Sequence, residues 1–166
     1  MRLLWCALLL FAASCGAARS RTVVGPVSVR LPPGAKVEVG GDSAAFGGFL
    51  VLLNDRTTLE IAELPASETA VALWVDSIRA ARRPHAEPAV FSYGVTPQEV
   101  YEAGFVRGRQ LFVTYDSRVM REIYFVVGER RVVVTWPVRV GFANEAQRLE
   151  DVRRVIASFR AVPPTG

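Results

Sequence analysis

The segment from Arg109 to Val138 constrains the fold more than any other part of the chain. It contains three runs rich in Val, Ile, Phe and Tyr, separated by short turns, and these residue types are common in β-strands. We predict strands at residues 109–115, 119–127 and 131–138. The middle run is apolar in both alternating phases, with Ile123, Phe125 and Val127 in one and Tyr124 and Val126 in the other. A strand that is apolar on both sides is buried on both sides, so this meander predicts a sheet with packing on each face.

Two other segments have the three- and four-residue apolar spacing of amphipathic helices. The first begins at the capping residue Ser67 and extends to residue 83, and the second extends from Asn144 to residue 160. The apolar stripes consist of Val71, Trp74, Val75 and Ile78 in the first helix, and of Leu149, Val152, Ile156 and Phe159 in the second. Each stripe predicts a helix face that packs against the sheet.

The remaining elements follow from shorter patterns. Alternating or continuous apolar residues predict strands at residues 27–31, 36–39, 45–53, 57–64 and 89–93. Thr96-Pro97-Gln98-Glu99 is a capping-box pattern with proline in the first helical position, which predicts a short helix to Ala103. Residues 16–24 have little periodicity and are interpreted as a polar tether. The predicted fold class is α+β, with a mainly antiparallel β-sheet covered by helices on both faces as an α/β/α sandwich.

The N-terminal residues are typical of an export signal. Met1-Arg2 is followed by an apolar run from Leu3, then by Ala12-Ala13-Ser14 and Cys15. The run is shorter than the roughly 20 apolar residues that span a bilayer. It resembles a bacterial lipoprotein signal, in which the cysteine becomes the lipidated first residue of the mature chain. The resemblance implies a diacylglycerol on the Cys15 thiol and a third acyl chain on its amine, enough for stable membrane attachment.

The predicted organisation therefore has four parts: a signal peptide of residues 1–14, a lipidated N-terminus and tether of residues 15–25, one α+β domain of residues 26–161, and a tail of residues 162–166. Because Cys6 would leave with the signal, Cys15 would have no cysteine with which to form an internal disulfide. The expected location is the cell-envelope membrane, facing the periplasm. Cleavage near Ala18 is the alternative, and it would give a secreted or periplasmic protein without an anchor.

Two further stretches carry a family resemblance. Residues 27–37 form a strand, a turn with two prolines and a glycine, and a second strand, with the sequence VSVRLPPGAKV. Near the other end, RVVVTWP at residues 131–137 is followed by a helix that closes on RVIASF at residues 154–159. Both stretches resemble the PsbP-like superfamily, which includes bacterial lipoproteins of the DcrB type. The resemblance implies an α/β/α sandwich that serves other proteins as a binding or assembly accessory, mostly without enzymatic activity.

The charge distribution argues against nucleic acid as a partner. The formal net charge is +4, and the basic residues are nineteen arginines and one lysine. The arginine pairs, such as Arg130-Arg131 and Arg153-Arg154, lie beside acidic neighbours or at the ends of predicted elements. A nucleic-acid groove needs clustered basic residues interleaved with stacking aromatic residues, so we expect no nucleic-acid partner.

Catalytic patterns are scarce in the sequence. His85, the only histidine, lies in a loop between two prolines, and a Ser-His-Asp or Cys-His mechanism would have to use it. Metal sites need clusters of ligating residues, and no such pattern is present. We therefore expect no catalytic residue, no metal and no cofactor. The remaining enzymatic option is a pair of carboxylates in a cleft, either Glu60 with Glu63 or Glu99 with Glu102.

Three functions follow as hypotheses. The first is a non-catalytic, membrane-anchored envelope lipoprotein that binds another envelope protein. The second is a carrier that holds an apolar or amphipathic small molecule between sheet and helix. Its candidate lining residues are Phe46, Phe49, Phe91, Tyr93 and Phe105. The third is a carboxylate-dependent hydrolase, which would need convergent carboxylates with perturbed pKa values.

Overall fold

The structure is a computed structural model, and it describes residues 21–25, 27–39, 48–54, 57–65, 67–81, 93–115, 118–138 and 145–162. Cys15 and His85 lie outside these residues, as do the candidate lining residues Phe46 and Phe91. The first helix begins later than the sequence predicts, at Val71 instead of just after Ser67.

Eleven strands and two helices make up the described part of the chain. The strands are β1 (Thr22–Val24), β2 (Val27–Val29), β3 (Lys36–Val39), β4 (Phe49–Asn54), β5 (Thr57–Leu64), β6 (Tyr93–Val95), β7 (Glu99–Ala103), β8 (Val106–Tyr115), β9 (Arg118–Val127), β10 (Arg130–Val138) and β11 (Arg160–Ala161). The helices are α1 (Val71–Ala81), which follows β5, and α2 (Glu145–Ala157), which follows β10.

Eight of these strands form one antiparallel sheet. Its order is β3-β4-β5-β10-β9-β8-β6. Strand β7 also pairs with β8, along the same edge as β6: β7 pairs with residues 106–110 of β8, and β6 with residues 113–115. The predicted meander of three strands is confirmed as β8, β9 and β10. The chain is therefore an α+β protein with a mainly antiparallel sheet and two helices in its described part.

Neighbouring residues of β9 enter two separate apolar clusters. Phe125 is fully buried in a cluster to which α2 contributes Val152 and Ile156, while the adjacent Tyr124 packs in a cluster to which α1 contributes Val75. Successive side chains of a strand point to opposite sides of a sheet, so the clusters lie on its two faces. The apolar pattern of β9 in both phases thus corresponds to packing on both faces. Each fully buried side chain of this size contributes roughly 1.5–3 kcal/mol.

Aromatic contacts join each cluster to its flanking segment. The Trp74 ring of α1 meets the Tyr124 ring edge-on, with the ring centres 5.3 Å apart and an interplanar angle of 88°. On the other side, the Phe125 ring lies 5.8 Å from the ring of Phe159, just beyond the end of α2. Such arrangements of aromatic pairs add about 0.5–1.5 kcal/mol beyond the area that they bury.

A small three-stranded sheet, β1-β2-β11, brings the two ends of the domain together. Its first strand corrects the interpretation of residues 16–24 as a tether at residues 22–24, because Thr22–Val24 pair with β2; residues 16–20 lie outside the described residues. Val24, Val27 and Val29 are fully buried in the same cluster as Phe125. The strand is only three residues long, which is too short for its alternation to stand out in the sequence. Its burial against β2 and the main core is what stabilises it.

The predicted short helix at residues 97–103 is also wrong, since Glu99–Ala103 form strand β7. The polar residues of the capping box bond across the fold instead of within a helical turn. The Thr96 hydroxyl accepts a hydrogen bond from the Phe112 amide at 3.0 Å, and Gln98 Nε2 donates to the Ala72 carbonyl at 3.0 Å. The strand β8 begins at Val106, earlier than predicted, and pairs with β7 along all five of its residues. Cross-strand pairing here outweighs the local helix signal.

Candidate functional site

A groove of about 460 Å³ opens between helix α2 and the sheet, at the side where β7 pairs with β8. Its sheet wall includes Tyr101 of β7, Gln110 of β8, Arg121 of β9 and Trp136 of β10. Its helix wall includes Leu149 and Arg153. The groove therefore combines aromatic and apolar walls with a small number of charged groups.

Strand register places these side chains together. Arg121 lies directly opposite Phe112 of β8 on one side and opposite Trp136 of β10 on the other. Residues that are directly opposite in an antiparallel pair point to the same face, so the three side chains form a row across the sheet. Gln110 lies two residues before Phe112 and shares this face. Tyr101 pairs with Gly108, which has no side chain beyond Cα.

Arg121 is the centre of this site. Its guanidinium carbon lies 5.6 Å from the ring centre of Tyr101, 5.5 Å from that of Phe112 and 5.3 Å from that of Trp136. All three distances lie within the range of cation–π attraction. Arg121 Nε donates to Gln110 Oε1 at 3.0 Å, and Nη2 donates to the same oxygen. Gln110 Nε2 in turn donates to Glu99 Oε2 at 2.9 Å.

Two groups of the site have shifted pKa values. Burial lowers the pKa of Arg121, and the nearby Tyr101 and Glu99 oppose that shift. Burial also raises the pKa of the Tyr101 hydroxyl, against the opposing effect of Arg121 and Arg153. An arginine does not lose its proton in a protein, so Arg121 is a cation in a partly desolvated place. Its third nitrogen, Nη1, donates no hydrogen bond to any residue that the structure describes.

Among the candidate lining residues of the sequence analysis, Phe49 and Phe105 do not line this groove. Phe49 packs against the cluster of Phe125, and Phe105 is 84% exposed on the turn between β7 and β8. Tyr93 belongs to β6. Tyr101, Arg121 and Trp136 were not predicted as site residues; they come from three different strands, β7, β9 and β10, and meet only through strand pairing. An arginine in the middle of a strand-like apolar run was the signal that could have indicated Arg121.

The predicted carboxylate pairs do not form. Glu60 and Glu63 lie three residues apart on one strand and so point to opposite faces, and Glu63 pairs with Arg130 at 3.1 Å. Glu99 and Glu102 diverge in the same way, because Glu99 accepts from Gln110 while Glu102 lies 3.8 Å from Arg107.

A different carboxylate pair comes together on the face of the sheet that carries Tyr124. Glu60 of β5 and Glu122 of β9 both lie opposite Thr135 of the intervening strand β10. Burial raises the pKa of Glu60, and the charge of Glu122 raises it further. Glu122 Oε2 accepts a hydrogen bond from the Tyr124 hydroxyl at 2.5 Å. Only the strand order β5-β10-β9 brings these carboxylates together, so no spacing in the sequence could have indicated the pair.

Within the described ranges, no three His, Cys, Asp or Glu side chains lie close enough together to hold a metal ion. Of the helices that the structure describes, neither has the length and apolar character needed to cross a membrane.

No family profile matches the sequence, and no curated protein matches it significantly. Solved structures do match. The PsbP protein (CyanoP) of Synechocystis sp. PCC 6803 is 14% identical, with a TM-score of 0.53, and the match covers 91% of this chain and 99% of that one. A protein of Bacteroides thetaiotaomicron VPI-5482 is 13% identical with a TM-score of 0.48, and the match covers 89% of this chain but only 50% of that one.

A third match is LpqN of Mycobacterium tuberculosis, which is described as involved in cell envelope biogenesis. It is 12% identical with a TM-score of 0.47, and the match covers 89% of this chain and 87% of that one. At these identities the likeness concerns the fold alone, and it rests on the cyanobacterial structure, whose whole length is matched. This chain therefore has the PsbP-like fold.

Proposed function

We propose that this protein is an exported, lipid-anchored accessory protein that catalyses no reaction and binds a partner protein through the groove between α2 and the sheet. The observation that carries the proposal is the position of Arg121, with Tyr101 and Trp136 beside it on the groove wall. Tyr, Trp and Arg are the residue types that dominate binding energy at protein interfaces, especially in partly desolvated pockets.

The chemistry of Arg121 indicates what the partner presents. Burial disfavours its charge, and an incoming carboxylate would compensate that cost while accepting a hydrogen bond from Nη1. Two groove residues, Val100 on β7 with 61% exposure and Leu149 on α2, would contact apolar side chains of the partner next to that carboxylate. The partner segment is thus one that combines an acidic side chain or a C-terminal carboxylate with apolar neighbours.

Export and anchoring are supported by the N-terminal pattern. The apolar run that ends at Cys15 is typical of a lipoprotein signal, and the first described residue of the fold is Arg21. The proposed architecture is an α/β/α sandwich. It is supported by the packing of α1 with the cluster of Tyr124 and of α2 with the cluster of Phe125. One face would then present the groove while α1 covers the other.

A second candidate function is a carrier of an amphipathic small molecule. The groove volume of about 460 Å³ favours it, because small-molecule sites commonly have volumes of about 300–1,000 Å³. Arg121 would bind an anionic head group, and Leu149 and Val152 would contact the apolar part.

The test is photo-crosslinking from the groove in intact membranes. A photo-reactive side chain at Val100 should capture a reproducible envelope protein, and Arg121→Met should abolish this capture. The matched control is the same side chain at Leu73, which is 63% exposed on α1 and outside the groove. Equal capture from both positions, or capture unaffected by Arg121→Met, would reject the groove as the site.

Two further measurements complete the test. Mass spectrometry of lipids and metabolites released from the denatured protein should show none in stoichiometric amount. One bound amphipathic acid, together with no protein captured from Val100, would favour the carrier.

The lipid anchor is tested by Cys15→Ala. This variant should move from the membrane fraction to the soluble fraction, or keep an uncleaved signal. An unmodified Cys15 in membrane-bound wild type would contradict the anchor.

A further inference from the structure

We infer that the outer face of the small sheet β1-β2-β11, together with Phe105, is a second binding surface that contacts an anionic lipid membrane. The inference rests on the proposed lipid anchor for its geometry, but the surface itself is separate from the groove. We call this surface the basic face, and it consists of Arg21, Val23, Arg30, Phe105 and Arg160.

Strand pairing places these residues on one side. Val23 of β1 and Arg160 of β11 both lie directly opposite Ser28 of the central strand β2. Directly opposed residues share a face, and so do residues two positions apart on one strand. Arg21 therefore lies on the same side as Val23, and Arg30 on the same side as Ser28. The residues between them, such as Val24 and Val29, are buried on the inner side.

Within the described ranges, no carboxylate forms an ion pair with an arginine of the basic face. Among the residues that the structure describes, none of Arg21, Arg30 and Arg160 has an acidic side chain within 4.0 Å. Burial lowers the pKa of Arg21, and repulsion from the nearby Arg160 and Arg30 lowers it further. Arg21 bonds instead to Ser28 and to the Ser158 carbonyl, which holds its positive charge at the surface.

An exposed aromatic ring extends this surface. Phe105 is 84% exposed, the most exposed large apolar side chain of the described residues, and the Arg160 guanidinium carbon lies 4.6 Å from its ring centre. Val23 adds a second apolar side chain, at 62% exposure. Arginines beside exposed aromatic and aliphatic side chains are typical of surfaces that lie at the headgroup level of a membrane.

The position of the N-terminus selects the membrane as the occupant. Arg21, the first residue that the structure describes, is itself part of the basic face, and only five residues separate it from Cys15 in the sequence. Six residue steps extend at most about 20 Å, so a lipid on Cys15 would keep the basic face close to the bilayer. An anionic leaflet would attract each arginine, with roughly five-fold tighter binding for each one near the surface.

The test uses the mature chain of the proposed processing, residues 15–166, with Cys15→Ser so that no lipid contributes. We expect it to float with vesicles that contain phosphatidylglycerol and not with vesicles of phosphatidylcholine alone. Arg30→Gln with Arg160→Gln should weaken binding about 25-fold, because each arginine contributes about five-fold. High salt should weaken it as well, since these charges are exposed. Phe105→Ser should also weaken it.

The controls keep the result interpretable. The double variant spares Arg21, whose hydrogen bonds belong to the fold, and thermal unfolding should confirm that each variant is folded. Arg118→Gln with Arg154→Gln removes the same charge from other surfaces and should leave binding unchanged. Equal binding to both kinds of vesicle, no binding at all, or the same loss in the control would overturn the inference. The basic face would then fit an acidic protein surface better.

The outcomes separate this inference from the proposed function. If Cys15 is lipidated in cells but the unlipidated chain shows no preference for phosphatidylglycerol, the basic face fails and the anchor stands. If the chain prefers phosphatidylglycerol through Arg30 and Arg160 while Cys15 is unmodified in cells, the anchor fails and the basic face stands.

Discussion

The guanidinium carbon of Arg121 lies 5.3 Å from the centre of the Trp136 ring, directly across the pair formed by β9 and β10. This contact puts a cation on an aromatic surface at the wall of an open groove. The burial that lowers the pKa of Arg121 is a cost to the fold, which its cation–π contacts and its hydrogen bonds to Gln110 oppose.

The first prediction separates binding from stability at this residue. Arg121→Met removes the charge but keeps a flexible apolar side chain against Trp136. We expect the free energy of unfolding to change by less than about 1 kcal/mol, because the lost cation–π contacts are offset by the relieved burial of charge. Partner capture from Val100 should be lost. Urea unfolding measures the change in stability, and crosslinking measures the capture of the partner. Arg118→Met is the exposed control on the same strand. A loss of stability above about 3 kcal/mol in Arg121→Met would mean that Arg121 is structural.

The second prediction concerns the pH dependence of stability. The pKa of Glu60 is raised in the folded protein by burial and by Glu122, so its charged form destabilises the fold. As pH falls through the folded-state pKa, the folded protein takes up the proton before the unfolded chain does, and the destabilisation disappears. Glu60→Gln should therefore raise the thermal midpoint at pH 8, with a smaller gain at pH 4. Glu63→Gln, which removes an ion pair to Arg130, should give no gain at pH 8; an equal gain in both variants would refute this account.

The third prediction concerns the backbone at Gly108. A Cβ at this position would overlap the carbonyl oxygen of Tyr124 and would lie 2.8 Å from the Phe125 Cβ. Both obstacles belong to the central strand β9, so we expect Gly108→Ala to destabilise the protein by about 3 kcal/mol. Gly94→Ala is the matched control, since Gly94 is likewise a glycine within a paired strand, but its added Cβ meets nothing nearer than 3.8 Å. Thermal unfolding should show a loss in the first variant and little change in the second.

The fourth prediction tests whether the fold includes its first strand. Val24 is fully buried, whereas Val23 beside it is 62% exposed. We expect Val24→Ala to lower the free energy of unfolding by about 2 kcal/mol, because the change leaves a cavity in the core. Val23→Ala should change it by less than about 0.5 kcal/mol. Similar small effects of both substitutions in urea unfolding would support the original interpretation of these residues as a tether.

Much of the fold could be predicted because its central elements are long and periodic. Tyr124 and Phe125 already indicate in the sequence that both sides of β9 are buried. The stripe that contains Val152 and Ile156 likewise indicates the packing face of α2. The predictions fail at the short strands β1 and β7. The three residues of β1 are too few for an alternating pattern to be recognised, and the five residues of β7 overlap a capping-box pattern that favours a helix.

The sequence by itself determined the sheet-rich α+β class, and its resemblance to PsbP-like proteins is borne out for the fold. Only the tertiary structure decided which residues form the groove and the basic face. The reason is physical: Tyr101, Arg121 and Trp136 meet through hydrogen-bonded strand pairs, and Arg21 meets Arg160 through the small sheet that joins the two ends of the domain. Local patterns report how one segment is buried, whereas sites made by several strands depend on strand order and register, which are set by the packing of the whole chain.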